Sequence, residues 1–317
     1  MKWQKKGLIF SPEGQYDWVA THGMLPVADH IRDELFRVYF SGRDTANRSR
    51  IGFVEIDINK PKEIVYLSER PVLDLGKLGS FDDNGVTPTW IVNCDSKKYL
   101  YYFGWNKGSK VRAAEVAGLA ISVDGGENFE RYSDAPILDR TGKEPYTILV
   151  ISCILVENGV WRMWYDSADQ WLNKNLPKYN IKYAESIDGI HWKREGMISV
   201  DYQYPGESRV SRASVIKEGG LYKMWYCYAI GEGGYKIGYG ESEDGFRFHR
   251  RDEEAGIGLS EKGWDSEMLC YPFVFQHKGT KYMLYCGNGY GRTGFGYATA
   301  TERGQTAGEW KESQGQS

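Results

Sequence analysis

Three carboxylates stand at one repeated position of the chain. Asp83, Glu207 and Glu267 lie sixteen, fifteen and fifteen residues before aromatic runs that begin at Tyr99, Tyr222 and Tyr282. Equivalent positions of a cyclic repeat gather around one axis, so the spacing predicts that these acids share a pocket. Carboxylates crowded in a narrow mouth repel one another, and at least one then keeps its proton near neutral pH. The protonated member can donate to a leaving oxygen, while an ionised one activates water or attacks an anomeric carbon. That is the two-carboxylate logic of glycoside cleavage. Asp82, beside Asp83, and Asp166 are further candidate catalytic acids. His22, Arg209, Arg212 and Asp265 lie within a few residues of the same register. The loops expected on that face contribute Arg43, Trp105, Trp171, Asn288, Tyr290 and Arg292 as candidate substrate-binding residues. Trp105, Trp171 and Trp264 either stack on sugar faces or simply pack. Arg43, Arg212 and Arg292 either bind a carboxylate, phosphate or sulfate or pair with the nearby acids.

The elements that must position these residues show in the repeat itself. Five similar runs, starting at Phe36, Tyr99, Trp161, Tyr222 and Tyr282, are spaced 63, 62, 61 and 60 residues apart. A shorter apolar strand precedes each, a third strand follows, and a fourth follows in four of the five. Four antiparallel strands repeated radially predict an all-β, five-bladed β-propeller. The fifth repeat lacks a fourth strand of its own. Trp3-Gln-Lys-Lys-Gly-Leu-Ile-Phe resembles the outer-strand segment Trp192-Lys-Arg-Glu-Gly-Met-Ile-Ser, so residues 2–10 are expected to pair with blade five and close the ring. Residues 1–303 then form one domain, and 304–317, with Trp310, a polar tail. Ser-x-Asp-Gly recurs at Ser122, Ser186 and Ser242 and reads as a hairpin turn between third and fourth strands, not as a metal or catalytic motif.

Composition narrows the function classes. The 317 residues include 23 Tyr, 11 Trp and 38 Gly, which suits an all-β chain rich in tight turns. A net charge of −3 provides no basic excess for a nucleic acid. Five scattered cysteines show no metal-ligand spacing and read as buried thiols in a reducing compartment. No run reaches the length of a membrane span or a signal peptide, so a cytoplasmic protein without membrane attachment is expected.

At Phe81-Asp-Asp-Asn-Gly-Val-Thr-Pro and Tyr179-Asn-Ile-Lys-Tyr-Ala-Glu-Ser-Ile-Asp-Gly-Ile-His-Trp, and through the repeat over residues 3–303, the chain resembles a clan of five-bladed propellers. These are the arabinanase/β-xylosidase, invertase and β-mannoside phosphorylase families, and the likeness is greatest to glycosidase-like proteins of bacterial polysaccharide gene clusters. The resemblance implies three acids in a central pocket and no organic cofactor. It implies Glu207 as general acid, Asp83 (or Asp82) as base or nucleophile, and Asp166 or Glu267 as the acid that tunes the pair. The clan's blade-one Asp is absent, because that register holds Thr21-His22. His22, Arg43 and Arg212 suit the phosphate of a phosphorylase. The expected function is therefore action on a glycosidic bond, by hydrolysis or phosphorolysis, with an oligosaccharide or an anionic sugar derivative as ligand. The alternatives are a non-catalytic sugar-binding or polysaccharide-assembly propeller, or a transferase that uses a nucleotide or phosphate sugar.

Overall fold

The computed structural model describes residues 1–300; the expected polar tail, 304–317 with Trp310, lies outside the described residues. Twenty strands form it, with two single 3-10 turns and one short turn at Asn288–Gly291. They pair as five antiparallel groups of four. Unit one is β2 (Thr21–Arg32), β3 (Leu35–Arg43), β4 (Ser49–Asp57) and β5 (Ile64–Leu67). Unit two is β6 (Gly85–Cys94), β7 (Lys97–Lys107), β8 (Ala113–Ser122) and β9 (Glu130–Arg131). Unit three is β10 (Ile148–Glu157), β11 (Val160–Asn173), β12 (Leu176–Ser186) and β13 (Lys193–Val200). Unit four is β14 (Glu207–Glu218), β15 (Leu221–Ile230), β16 (Lys236–Ser242) and β17 (His249–Arg250). Unit five is β18 (Cys270–His277), β19 (Thr280–Cys286) and β20 (Phe295–Ala300), completed by β1 (Gln4–Phe10). The expected pairing of the N-terminal strand is present: Gln4 faces Thr299 and Phe10 faces Phe295.

Single parallel bridges, Ser49 to Gly85 and Tyr179 to Arg209, join units one and two and units three and four into eight-stranded sheets. Among the first strands, β2 packs on β6, β6 on β10, β10 on β14 and β14 on β18, and β18 returns to β2. These inner strands are covered on both faces, which is why they read as continuous apolar or small runs; Glu207–Val215 is buried throughout.

The second strands carry the core aromatics. Counted from each hairpin turn, Leu35, Lys97, Val160, Leu221 and Thr280 are equivalent. The repeat therefore begins at Lys98 and Lys281, one residue before the Tyr99 and Tyr282 expected from the aromatic runs. In this register Tyr39, Tyr101 and Trp164 donate to the carbonyls of Gly126, Gly189 and Gly245, at 2.8, 2.8 and 3.0 Å. Each bond crosses to the Ser-x-Asp-Gly turn of the next unit, so these turns are inter-unit fasteners. In unit four the equivalent Trp225 instead meets Trp3 edge-on at 5.6 Å.

One residue further along, Tyr102, Tyr165, Tyr226 and Tyr285 reach a buried acid. Tyr102 donates to Asp82 (3.1 Å), Tyr165 to Glu144 (2.9 Å), Tyr285 to Asp265 (3.1 Å), and Tyr226 to Asp252. A cation from the fourth strand of the same unit closes each arrangement. Arg131 pairs with Asp82 at 2.8 Å, Arg194 with Glu144 at 3.0 Å and Lys5 with Asp265 at 2.7 Å; Arg250 pairs with Glu207 at 2.8 Å and with Asp252 at 2.7 Å. Glycines of the third strand make room, since a Cβ on Gly118 would lie 2.4 Å from the Tyr102 ring. Unit one replaces the arrangement with apolar packing: Phe40 has no hydroxyl and meets Trp18 at 5.5 Å. The acid that recurs is thus Asp82, Glu144, Glu207 and Asp265, and it clamps the entry segment of each of these four units to its outermost strand.

Candidate functional site

All five units contribute to a cavity of about 380 Å³ at the end where the first strands begin. Its walls hold His22 and Arg43 from unit one, Trp105, Arg112 and Glu115 from unit two, and Tyr179 from unit three. Arg209 and Tyr235 come from unit four, and Tyr271 and Tyr290 from unit five. Backbone irregularity aims several of these side chains. The inner strands carry β-bulges, and at the bulges His22 and Tyr271 adopt left-handed φ of 64° and 60°. Such a conformation is costly for a residue with a Cβ, and a bulge redirects the side chain it carries. Tyr290, φ 61°, lies in the Asn288–Gly291 turn.

Three guanidinium groups share the cavity with one carboxyl. Arg43 donates to Asn47 Oδ1 at 2.9 Å, and its Nε is buried with no hydrogen-bond partner among the described residues. Arg209 donates to the Tyr290 hydroxyl at 3.0 Å and to the carbonyls of Gly231 and Gly233 at 3.2 and 2.6 Å. It lies over the Tyr235 ring at 4.8 Å, and its Nε is likewise without a partner. Arg112 stands 3.5 Å from Glu115. The Glu115 side chain is 12% exposed, and its Oε2 is buried with no hydrogen-bond partner among the described residues. Burial pushes the Glu115 carboxyl above the usual range, against the opposing charges of Arg112 and Arg43. Burial first, then Arg43 and Arg292, lowers the His22 imidazole to about 4, so it is neutral at pH 7. The arrangement provides an acid that keeps its proton to higher pH than usual, a neutral imidazole, tyrosine walls and a local excess of positive charge.

The chain matches no protein-family model. It is 39% identical over 300 residues to two proteins of Mycobacterium tuberculosis, Uncharacterized protein MT1551 (strain CDC 1551 / Oshkosh) and Uncharacterized protein Rv1502 (strain ATCC 25618 / H37Rv), with 94% of this chain and 99% of each relative covered. The chain belongs to the family of these mycobacterial proteins. Among solved structures it is similar to a "Glycoside hydrolase", with a TM-score of 0.75, 18% identity and 98% and 95% of the two chains covered. It is also similar to a thermostable family-43 glycoside hydrolase (TM-score 0.67, 17% identity, 89% and 88% covered). An exo-1,5-alpha-L-arabinanase from a bovine ruminal metagenomic library aligns with a TM-score of 0.61, 16% identity and 90% and 94% covered. The resemblance read in the sequence thus holds at the level of fold.

In this family member the cavity brings together five of the residues singled out in the sequence: His22, Arg43, Trp105, Arg209 and Tyr290. The expected acids are elsewhere. Asp82, Glu207 and Asp265 are held in the clamps, with side chains 1%, 0% and 4% exposed. Asp83 accepts from Asn106 at 2.6 Å and from the Gly79 amide at 2.9 Å, which fixes the entry loop of unit two. Asp166 lies within β11, not in a loop, and is fully buried. It accepts from Ser152 at 2.9 Å, from Ser211 and from the Arg212 amide, and burial raises it to about 6. Arg212 is fully buried beside it, its Nη1 donating to the carbonyls of Thr89 and Ser152. Glu267 borders a separate hollow with Tyr204 and Tyr228, and Trp171 lies with Phe81 and Tyr146 in a second hollow that meets the cavity at Ala113 and Glu115. Asn288 accepts from the amides of Glu267 and Met268, at 2.8 and 3.2 Å, and so orders the loop. Arg292 is exposed and acts on His22 through its charge.

Arg112 and Glu115 are the functional candidates that the residue pattern did not single out. Arg112 immediately precedes β8 and Glu115 lies in it, three positions apart. No repeat partner marked them, because the other units have no equivalent pair.

Proposed function

We propose that the protein is a carbohydrate-active enzyme that acts on a glycosidic bond in this cavity, within a five-bladed propeller ring closed by β1. The cyclic order of first-strand contacts supports the ring, and the contribution of all five units to one cavity supports a central site. The observation that carries the chemistry is Glu115. It is a carboxyl held in its protonated form to higher pH than usual, with one oxygen unsatisfied inside the protein, at the wall of a cavity large enough for a sugar unit. A buried acid of this kind donates its proton to a leaving glycosidic oxygen. Trp105 and the tyrosines present ring faces and hydroxyls to a sugar. His22, neutral and adjacent, accepts or donates hydrogen bonds without adding charge.

The test is turnover. Wild-type protein incubated with a panel of oligosaccharides should release reducing sugar or sugar phosphate, and Glu115→Gln should not, at unchanged melting temperature. Equal activity in the two proteins would remove Glu115 from the mechanism. A second reading, a transferase that uses an activated anionic sugar, is favoured by the same three arginines, and replacing water by an acceptor sugar in the assay tests it.

A further inference from the structure

The hollow bordered by Glu267 opens at the same end of the molecule as the cavity, one loop away from it. Its volume is about 510 Å³, and its walls include Tyr204, Tyr228, Ile230, Lys236, Leu259 and Glu267. The loop 230–234, between β15 and β16, separates the two spaces. On its inner side the carbonyls of Gly231 and Gly233 accept from Arg209, which lines the cavity. On its outer side Ile230, Gly233 and Gly234 line the hollow. The alternation of the chain beyond the loop extends this division: Tyr235 lines the cavity and Lys236, the first residue of β16, lines the hollow.

The unit-four clamp fixes the aromatic wall of the hollow. Glu207 accepts from the amides of Gln203 and Tyr204, at 2.6 and 3.3 Å, and holds Arg250. The Arg250 guanidinium lies 5.2 Å from the ring centres of both Tyr204 and Tyr228, and these two rings stack at 5.5 Å with 30° between their planes. Rings held in advance meet a ligand with little further loss of side-chain entropy. The polar groups around them are uncommitted. The Tyr228 hydroxyl, the Lys236 ammonium and the Glu267 carboxylate make no hydrogen bond or ion pair among the described residues. Ile230 and Leu259 are 50% and 44% exposed beside them. The clamps stabilise the fold through buried, paired charges; here the apolar rim stays wet and the charges stay apart.

Aromatic rings flanked by one acid, one ammonium and a hydroxyl offer apolar surface together with donors and acceptors and no net charge. That combination matches the apolar faces and hydroxyl edges of a neutral sugar. A polyanion meets one cation there and an opposing carboxylate, and a purely apolar ligand strands both charges. We propose that the hollow is a second saccharide-binding site. It holds the distal part of a neutral oligosaccharide whose reacting unit lies in the cavity, with the chain crossing loop 230–234. Tyr228 then selects for substrate length. The placing of both ends on one saccharide rests on the glycosidic reading of the cavity given above.

Calorimetric titration of full-length Glu115→Gln protein, which should not consume the probe, tests the proposal. The probes are linear arabino-, xylo- and manno-oligosaccharides from disaccharide to hexasaccharide. In one of these series the affinity should rise about tenfold or more with length, and adding Tyr228→Ala should remove that rise. Lys236→Ala is the second variant, since its side chain is exposed, and melting temperatures establish that both proteins are folded. The proposal is overturned if affinity is independent of length in every series, or if the rise survives both substitutions. It is also overturned if Tyr228→Ala leaves saccharide affinity as it was and instead dissociates a dimer seen by sedimentation, which makes a second copy of the chain the occupant. Wild-type turnover separates this site from the reading of the cavity. Turnover with affinity independent of length removes the hollow and keeps the glycosidic reading. Length-dependent binding that requires Tyr228, with no turnover in any series, keeps the saccharide site and removes the glycosidic reading.

Discussion

The four clamps and the cavity use the same residue types to opposite ends. In the clamps each acid has a tyrosine hydroxyl or a backbone amide and a cation within 3.1 Å, and it is shut away from solvent. In the cavity the ratio is inverted: one acid faces three guanidiniums, and polar atoms on both sides remain unsatisfied. A buried network in which every member is satisfied rigidifies a fold. A half-satisfied one is tolerated where a ligand completes it. Recurrence therefore marks structure here, and the exception to the recurrence marks the site.

The comparison is most sharply challenged by substituting across it. Glu115→Gln should lower turnover by about 10²–10⁴-fold, the usual contribution of a general acid, while chemical denaturation curves coincide with wild type. Arg250→Gln should do the reverse. It strands the buried Glu207 and Asp252, and urea unfolding should show a loss of about 3–5 kcal/mol with cavity ligand binding unchanged in the folded fraction. A smaller effect is expected from Tyr102→Phe, which removes one hydrogen bond to Asp82 and should cost about 1–3 kcal/mol by the same measurement. The reciprocal Phe40→Tyr should give no gain, because unit one has Trp18 where the acid would be.

The smallest effect concerns pH. His22 has a folded-state value of about 4, below its unfolded value, so between roughly pH 6.5 and 4 the unfolded chain binds the extra proton. Stability from this group is complete above pH 6.5 and declines as the pH falls through that window. Asp166, raised to about 6, acts oppositely: its contribution is complete below the unfolded carboxylate range and is lost as pH rises through 6. His22→Gln should remove the first term, so its melting temperature should fall less than that of wild type between pH 6.5 and 4.

Much of the fold was legible in the chain because its period is carried by large buried side chains. The pairing of residues 4–10 with unit five followed from one outer-strand resemblance, Trp3 with Trp192. The acid register was legible only approximately. In unit two the aromatic run starts at Tyr99, one residue beyond the turn-anchored start at Lys98, so the register falls on Asp83 and not on Asp82. In unit five the same slip favoured Glu267 over Asp265. Glu144 was hidden because fifteen residues before the Trp161 run stands Tyr146, two positions beyond the acid. The cavity was harder still to read. Its shape depends on left-handed φ at His22, Tyr271 and Tyr290; tyrosine gives no sequence signal for such a backbone, and histidine only a weak one. Arg112 and Glu115 belong to one unit only, so periodicity could not reveal them.

Whether the recurring acid holds the fold or does the chemistry is decided by Glu207→Gln. Its melting temperature and its turnover per folded molecule should be measured together. A structural clamp at Glu207 gives a clearly lowered melting temperature and turnover per folded molecule equal to wild type; turnover abolished at an unchanged melting temperature would contradict that role.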